Sequence, residues 1–133
     1  MAETIKLELV SPERLLLSEQ VEMVIVPGAE GVFGVLPLHA PTLSTLKPGF
    51  VVVHKGGAVA SSFFVTGGFA EVTPATVTVL VDEAIPQANL TREYAVQRLA
   101  DAKARLARAA NDDDRRMAQV AIASAEAMVQ AAA

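Results

Sequence analysis

The chain has 133 residues, of which 52% are apolar and only 5% aromatic, and this length allows one sizeable core. It has no cysteine, which excludes disulfides, thiolate metal sites and a cysteine nucleophile. Four basic and nine acidic residues precede residue 88, whereas seven basic and six acidic residues follow, giving a net charge of −4. An acidic first part argues against nucleic acid as a partner. No apolar run has the length of a signal peptide or membrane span, so a cytosolic or peripheral protein is expected.

Hydrophobic patterning divides the chain in two. Valine clusters before residue 90 and alanine after it, which indicates a β part followed by a helical part. Apolar and polar residues alternate over residues 4–10 and 21–26, as in half-buried strands. Runs of β-branched and aromatic residues predict further strands at 50–55, 58–65, 69–73 and 76–81. Many short strands separated by glycine and proline predict an antiparallel sandwich or barrel, which ends at Pro86.

Residues 26–49, VPGAEGVFGVLPLHAPTLSTLKPG, contain four glycines and four prolines. Such a stretch cannot form one long element, so we expect very short strands joined by tight turns at one end of the β part. Its glycines indicate turns and not a phosphate loop, because the prolines forbid the helix that such a loop needs. His39 is expected to be structural or to lie at an interface, whereas His54, before a Gly-Gly turn, is expected to be solvated.

From Leu90 onward the apolar spacing becomes three and four, which predicts a helix capped by Asn89 or Thr91. The polar run at residues 111–114 predicts a turn and not a calcium loop, since it lacks alternate spacing and a closing glutamate. A second helix, predicted from about residue 115 to residue 129, completes an antiparallel hairpin. The stripe expected to be buried is mostly alanine, which predicts a loosely held hairpin; its members are Ala95, Leu99, Ala102, Leu106, Ala109, Met117, Val120, Ser124 and Met128.

Three strings in the chain are distinctive: LELVSPERLLLS, VPGAEGVFGVLPLHAPTLSTLKPG and FFVTGGFAEVTPATVTVLVDEA. Together with the helical hairpin, they resemble the epsilon subunits of bacterial-type F-type ATP synthases. The resemblance implies an α+β, mainly β protein, with a ten-stranded antiparallel β-sandwich over residues 1–86 and a two-helix hairpin over residues 87–133. It also implies a non-catalytic rotor subunit of the central stalk, which links the gamma subunit to the membrane c-ring for proton-driven ATP synthesis. No catalytic residue, cofactor or metal is expected.

The same resemblance implies partners and a location. The sandwich would bind gamma and rest on the polar loops of the c-ring, so its membrane contact would be indirect, at the cytoplasmic face of the inner or plasma membrane. The residues that match the ring- and gamma-facing end are Glu30, Gly31, Val32, Phe33, Gly34, Leu38, His39, Ala40 and Pro41. The hairpin would lie folded or extend along gamma towards the catalytic alpha and beta subunits, where the extended form hinders ATP hydrolysis.

Two sets of residues in the hairpin are candidates for regulation. Some members of the family bind ATP with a motif of Ile or Leu, Asp, two variable residues, Arg and Ala. The corresponding positions here are Leu90, Thr91, Tyr94 and Ala95. Thr91 replaces the Asp and Tyr94 replaces the Arg, so the motif's carboxylate and cation are missing. ATP binding is therefore expected to be weak or absent. The arginines form either a solvated face or a docking face for an acidic protein; they are Arg98, Arg105, Arg108, Arg115 and Arg116.

Two other classes of function stay open from the sequence. One is a free-standing β-sandwich that binds a small ligand and carries a helical appendage. The other is a hydrolase that uses His39, which needs a carboxylate brought beside it by the fold. Co-purification with catalytic alpha and beta subunits would separate the rotary-stalk interpretation from both.

Overall fold

A computed structural model of the chain describes residues 3–132. The chain forms two compact units, Met1–Gln87 and Ala88–Ala133. The first is built of strands and the second of helices. None of the helices within residues 3–132 is long and apolar enough to cross a membrane.

The first unit contains ten short strands. They are β1 (Ile5–Val10), β2 (Leu15–Val21), β3 (Met23–Gly28), β4 (Gly31–Val35), β5 (Thr42–Leu46), β6 (Gly49–Lys55), β7 (Ala58–Val65), β8 (Gly68–Val72), β9 (Thr76–Val81) and β10 (Ala84–Pro86). In β1 and β9 every second side chain is buried, which is the pattern of a strand with one face on a core.

The strands form the two layers of a sandwich. Their hydrogen-bonded order is β10-β7-β6-β3-β5-β8-β9-β1-β2, with β4 paired to β3. One layer is therefore β4-β3-β6-β7-β10 and the other is β5-β8-β9-β1-β2, and the single pair of Gly28 with Leu46 joins them. The predicted ten-stranded sandwich is confirmed, but one pairing is not antiparallel: β1 and β9 run parallel. Alternation determines which face of a strand is buried and not the direction of its neighbour, so the sequence could not predict this pair.

Aliphatic side chains fill the space between the layers. Both layers contribute to one continuous cluster, which includes Leu7 and Val79 from one layer and Val24 and Val53 from the other. His54, predicted to be solvated, is half-buried, and its Nε2 has no hydrogen-bond partner within the described residues. The reason is that β6 continues to Lys55, so His54 still lies inside the sheet, opposite Met23 of β3.

The second unit is a hairpin of two helices, α1 (Arg92–Ala107) and α2 (Asp112–Ala131), which pack against each other. Thr91 caps α1, since its Oγ1 accepts a hydrogen bond from the Tyr94 N–H at 3.1 Å. Asn111 caps α2 in the same way, accepting from the Asp114 N–H at 2.8 Å. Helix α2 therefore begins at Asp112 and not at residue 115, because the three aspartates occupy its first turn, where negative charge is favoured.

The buried stripe of the hairpin differs in part from the predicted one. Met117 and Val120 are 56% and 63% exposed, so these two assignments were wrong. Mostly small side chains take the buried positions, with Met128 as the large exception; those buried in the two helices are Ala95, Ala102, Ala118, Ser124, Ala125 and Met128. Leu99 and Leu106 are only half-buried. The hairpin thus buries little apolar area for its length.

Candidate functional site

The predicted partner-binding site begins with the tight hairpin of β3 and β4. Gly28 pairs with Gly31 at its end, and residues 29–30 make the turn. A Cβ on Gly28 would lie 2.6 Å from the Gly31 carbonyl oxygen and 2.9 Å from Phe33 Cε1, so no side chain fits there. Gly31 has φ of 147°, a conformation that favours glycine. These two glycines allow the hairpin to close and determine where Val32 and Phe33 emerge from it.

The loop that follows β4, residues 36–41, is held in a strained turn. The Leu38 N–H donates to the Pro74 carbonyl at 2.9 Å, and the His39 N–H donates to the Leu36 carbonyl at 3.1 Å. Leu38 has φ of 66°, the one positive value at a non-glycine residue within residues 3–132. This conformation costs about 1–2 kcal/mol for a residue with a Cβ. The Leu38 side chain is nevertheless 71% exposed, so the strain presents an apolar group to the outside.

An open groove lies between the β3–β4 hairpin and β5, and we call it the β4–β5 groove. Its volume is about 740 Å³, and its lining residues are 28–33, His39 and 42–45. Val32 and Leu43 are 65% and 71% exposed. The rings of Phe33 and His39 lie against each other, with centroids 6.3 Å apart. The groove brings together five of the predicted site residues, namely Glu30, Gly31, Val32, Phe33 and His39, but not Gly34, Leu38, Ala40 or Pro41.

The polar groups of the groove are mostly engaged by neighbouring backbone. Thr42 Oγ1 donates to the Ala40 carbonyl at 3.0 Å, and Ser44 Oγ donates to the Thr45 carbonyl at 3.1 Å. Glu30 is the one acidic residue among the lining residues, and no lysine or arginine accompanies it. The groove therefore combines apolar side chains with a single negative charge.

His39 is placed for a structural role. Its Nδ1 lies 2.7 Å from the Ala40 carbonyl oxygen, a contact in which Nδ1 must be the donor. The hydrolase interpretation needed a carboxylate at this imidazole, and the observed contact is instead with a backbone carbonyl. Within residues 3–132 no group of three or more His, Cys, Asp or Glu side chains is arranged to hold a metal ion.

A second exposed apolar surface, not predicted from the sequence, lies on the sandwich. On the outer face of the β5-β8-β9-β1 layer, Phe69 lies opposite Leu80, and Leu80 lies beside Val10. Leu43 on β5 is a diagonal neighbour of Phe69, since Thr45 is the residue opposite Phe69. We call Val10, Leu43, Phe69 and Leu80 the outer apolar row. The alternation of buried and outward-facing positions in GFAEV and TVTVLV places Phe69 and Leu80 on the face away from the core. This pattern was sufficient to predict the surface.

The residues at the family's ATP-motif positions serve the start of α1. Leu90 and Ala95 are buried, whereas Thr91 and Tyr94 are exposed. The Thr91 hydroxyl is used as the helix cap, and the Tyr94 hydroxyl accepts a hydrogen bond from Arg98 at 2.7 Å. The guanidinium of Arg98 lies 5.7 Å from the centre of the Tyr94 ring, within cation–π distance. Weak or absent ATP binding stays a prediction.

The arginines of the hairpin differ in their surroundings. Arg115 and Arg116 form ion pairs within the first turn of α2, with Asp112 and Asp113 respectively, and the Arg116 pair is 2.8 Å long. Arg105 and Arg116 also border a shallow apolar groove of about 340 Å³, whose other lining residues are Met117, Val120 and Ala121. Arg108 is the C-cap residue that follows α1. An apolar groove bordered by Arg105 and by Arg116, of which Arg116 is already paired with Asp113, is a surface suited to an acidic amphipathic partner.

Comparisons with known proteins agree with one another. Residues 4–87 match the family described as the ATP synthase, Delta/Epsilon chain, beta-sandwich domain. The ATP synthase epsilon chain of Paramagnetospirillum magneticum is 53% identical over 133 residues and 100% of both chains, and that of Rhodospirillum rubrum is 52% identical over 98% of both.

Solved structures give the same result for the fold. A chain in the cryo-EM structure of the Euglena gracilis mitochondrial ATP synthase, OSCP/F1/c-ring in rotational state 1, has a TM-score of 0.77 and 27% identity, covering 96% of this chain and 81% of that one. A chain in the Tetrahymena thermophila mitochondrial ATP synthase central stalk/c-ring structure has a TM-score of 0.67 over 98% of both chains. At 13% identity the second comparison shows the fold alone.

Proposed function

Because the chain belongs to the ATP synthase delta/epsilon chain family, we propose that it is the non-catalytic central-stalk subunit of an F-type ATP synthase. It links the gamma subunit to the c-ring for proton-driven ATP synthesis. The observation that carries this proposal is the 53% identity to an ATP synthase epsilon chain over the whole of both chains. A free-standing ligand-binding sandwich is not favoured, since the relatives that match the full chain carry the epsilon-chain name.

The surface of the sandwich supports a position between two partners. The β4–β5 groove and the outer apolar row are neighbouring surfaces that share Leu43: the groove lies at the edge of the sandwich, and the row crosses the outer face of one layer. We assign the row to gamma, since a lasting interface needs a continuous apolar centre. We assign the groove to the polar loops of the c-ring, because Glu30 and backbone groups give it a mixed polar lining.

The hairpin supports a regulatory role in ATP hydrolysis. The exposed apolar groove of the hairpin, bordered by Arg105 and Arg116, is suited to binding an acidic surface. Such a surface on the catalytic alpha or beta subunits would bind the hairpin at this groove. Because the hairpin buries mainly alanine, a rearranged hairpin loses little apolar burial. The inhibitory element is therefore assigned to the second unit and the assembly element to the first.

The subunit is proposed to be peripheral, held at the cytoplasmic face of the inner or plasma membrane through the ring. The test is to tag the chain in its own host, solubilise the membranes and identify what co-purifies. Catalytic alpha and beta subunits, gamma and the c-ring are expected in fixed proportion. Recovery of the chain from the soluble fraction without these subunits would contradict the proposal.

A further inference from the structure

The β4–β5 groove is bordered by two strands with unpaired edges. Within residues 3–132, β4 pairs only with β3, and β5 pairs along its length with β8 and at one position with β3. An unpaired edge presents backbone N–H and C=O groups to any strand that approaches it. The lining of the groove includes residues of both strands, Val32 from β4 and Leu43 from β5.

The direction in which the backbone N–H and C=O groups of β4 point follows from its pairing with β3. Pro27 lies opposite Val32, has no N–H, and its carbonyl accepts from the Lys47 N–H at 3.0 Å, in the direction of β5. In an antiparallel pair, opposite residues either bond each other or both point away. The N–H and C=O of Val32 therefore point away from β3. Gly34, two residues later, points in the same direction.

The edge of β5 is partly used. The Thr45 carbonyl accepts from the Ala29 N–H at 2.8 Å, so the backbone of Thr45 points away from β8. Leu43, two residues earlier, points the same way, with no partner strand along that part of β5 in the described residues. β4 thus offers the longer free edge, with Val32 and Gly34 together providing up to four backbone hydrogen bonds.

The edges at β10 and β2 carry features that discourage strand addition, and β4 does not. β10 has three residues and ends in Pro86, and β2 carries Glu19, whose carboxylate pairs with Lys55 at 3.1 Å. The sequence of β4 is GVFGV, with no charge and no proline, and its outward side chain at Val32 is 65% exposed. Natural edges of this kind are normally protected by charge, proline or a bulge, or are paired.

We propose that the free edge of β4 binds an extended segment of a partner subunit by β-strand addition. This inference rests on the proposed function, and it places the partner segment along the side of β4 that faces away from β3. The segment carries apolar side chains at alternate positions, which meet Val32, and a basic residue opposite Glu30. A basic segment also fits the unit as a whole, which has four basic and nine acidic residues before residue 88.

The experiment compares two substitutions at one residue. Val32→Pro keeps an apolar side chain and removes the outward N–H, whereas Val32→Ala keeps the N–H and removes most of the side chain. Because the Val32 N–H is not used within the sandwich, neither change removes a β3–β4 hydrogen bond. Binding of the full-length variants to the ATP synthase complex stripped of this subunit is measured, together with amide hydrogen exchange at Val32 and Gly34.

Strand addition predicts that both amides exchange rapidly in the isolated subunit and slowly after assembly. Val32→Pro is expected to weaken binding roughly tenfold, because it leaves a partner carbonyl without its donor, and more than Val32→Ala does. Equal binding of the two variants, with unprotected amides in the assembled complex, would overturn the inference while leaving the proposed function intact.

Protection in the isolated subunit that rises with its concentration would assign the edge to a second copy of this chain. If the wild-type subunit fails to bind the stripped complex, it is the proposed function that fails. The exchange measurement on the wild-type chain remains decisive if Val32→Pro does not fold.

Discussion

Gly28→Ala tests whether the tight β3–β4 hairpin shapes the partner-binding end of the sandwich. The new Cβ would lie 2.6 Å from the Gly31 carbonyl oxygen and 2.9 Å from Phe33 Cε1. The carbonyl belongs to the backbone of the paired strand, so it can retreat only if the hairpin opens. Overpacking of this kind costs about 1–3 kcal/mol. For a domain of this size the melting temperature should fall by roughly 4–24 °C.

Gly34→Ala is the matched control, because it adds the same methyl group to the same hairpin. There the new Cβ would lie 3.4 Å from Met23 Sδ, the nearest atom and part of a flexible side chain. Its stability should stay within about 0.5 kcal/mol of the wild type. Both variants are followed by thermal unfolding of the isolated subunit, and Gly28→Ala is also followed by binding to the stripped complex, since Gly34 itself lies on the proposed binding edge. We expect Gly28→Ala to lose binding as well as stability, since its hairpin must open beside the groove. Equal melting temperatures for the two variants would refute the reasoning about this close approach.

Three further predictions concern the two units. A chain ending at residue 86 should fold and still bind gamma, because both the groove and the outer apolar row lie before that residue; a folded fragment that cannot bind in a pull-down would contradict this and the predicted domain boundary. ATP should bind weakly or not at all in calorimetry, since each of the two missing charged partners removes about 1.5–3 kcal/mol of binding free energy. Losing both weakens the affinity by about two to four powers of ten, and micromolar binding would show that Arg98 or another cation compensates. Amide hydrogen exchange should be much faster in α1 and α2 than in β9, because the helices bury mostly alanine whereas β9 buries three valines; equal protection would mean a rigid hairpin.

The sequence predicted individual strands better than their neighbours. The alternation in TVTVLV requires Val77, Val79 and Val81 to share one face, and all three are buried. That pattern is the same whether the next strand runs parallel or antiparallel, so the pairing of β9 with β1 was not predictable from it. Contacts between residues this far apart in sequence depend on the whole topology and not on local preference.

The helices show a different limit of sequence reasoning. The predicted stripe favoured Met117 and Val120 because they are larger and more apolar than the alanines beside them. The buried positions instead go to Ala118 and Ala125, seven residues apart on one face of α2. Helices that pack closely need small side chains at the contact, and this steric demand outweighs the hydrophobicity of the individual residues. The larger side chains then remain outside, where they form the groove beside Arg105.

The candidate site was predictable as a region and not as a surface. The density of glycine and proline in residues 26–49 indicated tight turns, and the structure has them at Gly31 and in the strained loop at Leu38. The contribution of β5 to the groove was missed, because nothing in a short polar strand shows which neighbour it lacks. A strand edge is free when no other strand pairs with it. The sequence pattern of a strand indicates only that it can pair, and not which of its edges stays unpaired.

The distribution of exposed apolar side chains connects the fold to its role. Val32 and Leu43 line the β4–β5 groove, Leu38 projects from the adjoining loop, and Phe69 and Leu80 lie in the outer apolar row. Each contributes about 1.5–3 kcal/mol when it is fully buried. Part of this gain is offset by the entropy lost when subunits associate. A sandwich that keeps such groups outside, and supports one of them on a strained backbone at Leu38, is less stable alone than its core would allow. If the chain assembles as proposed, selection for the assembled state explains this arrangement, because these side chains would then complete interfaces in the way that core residues complete the sandwich.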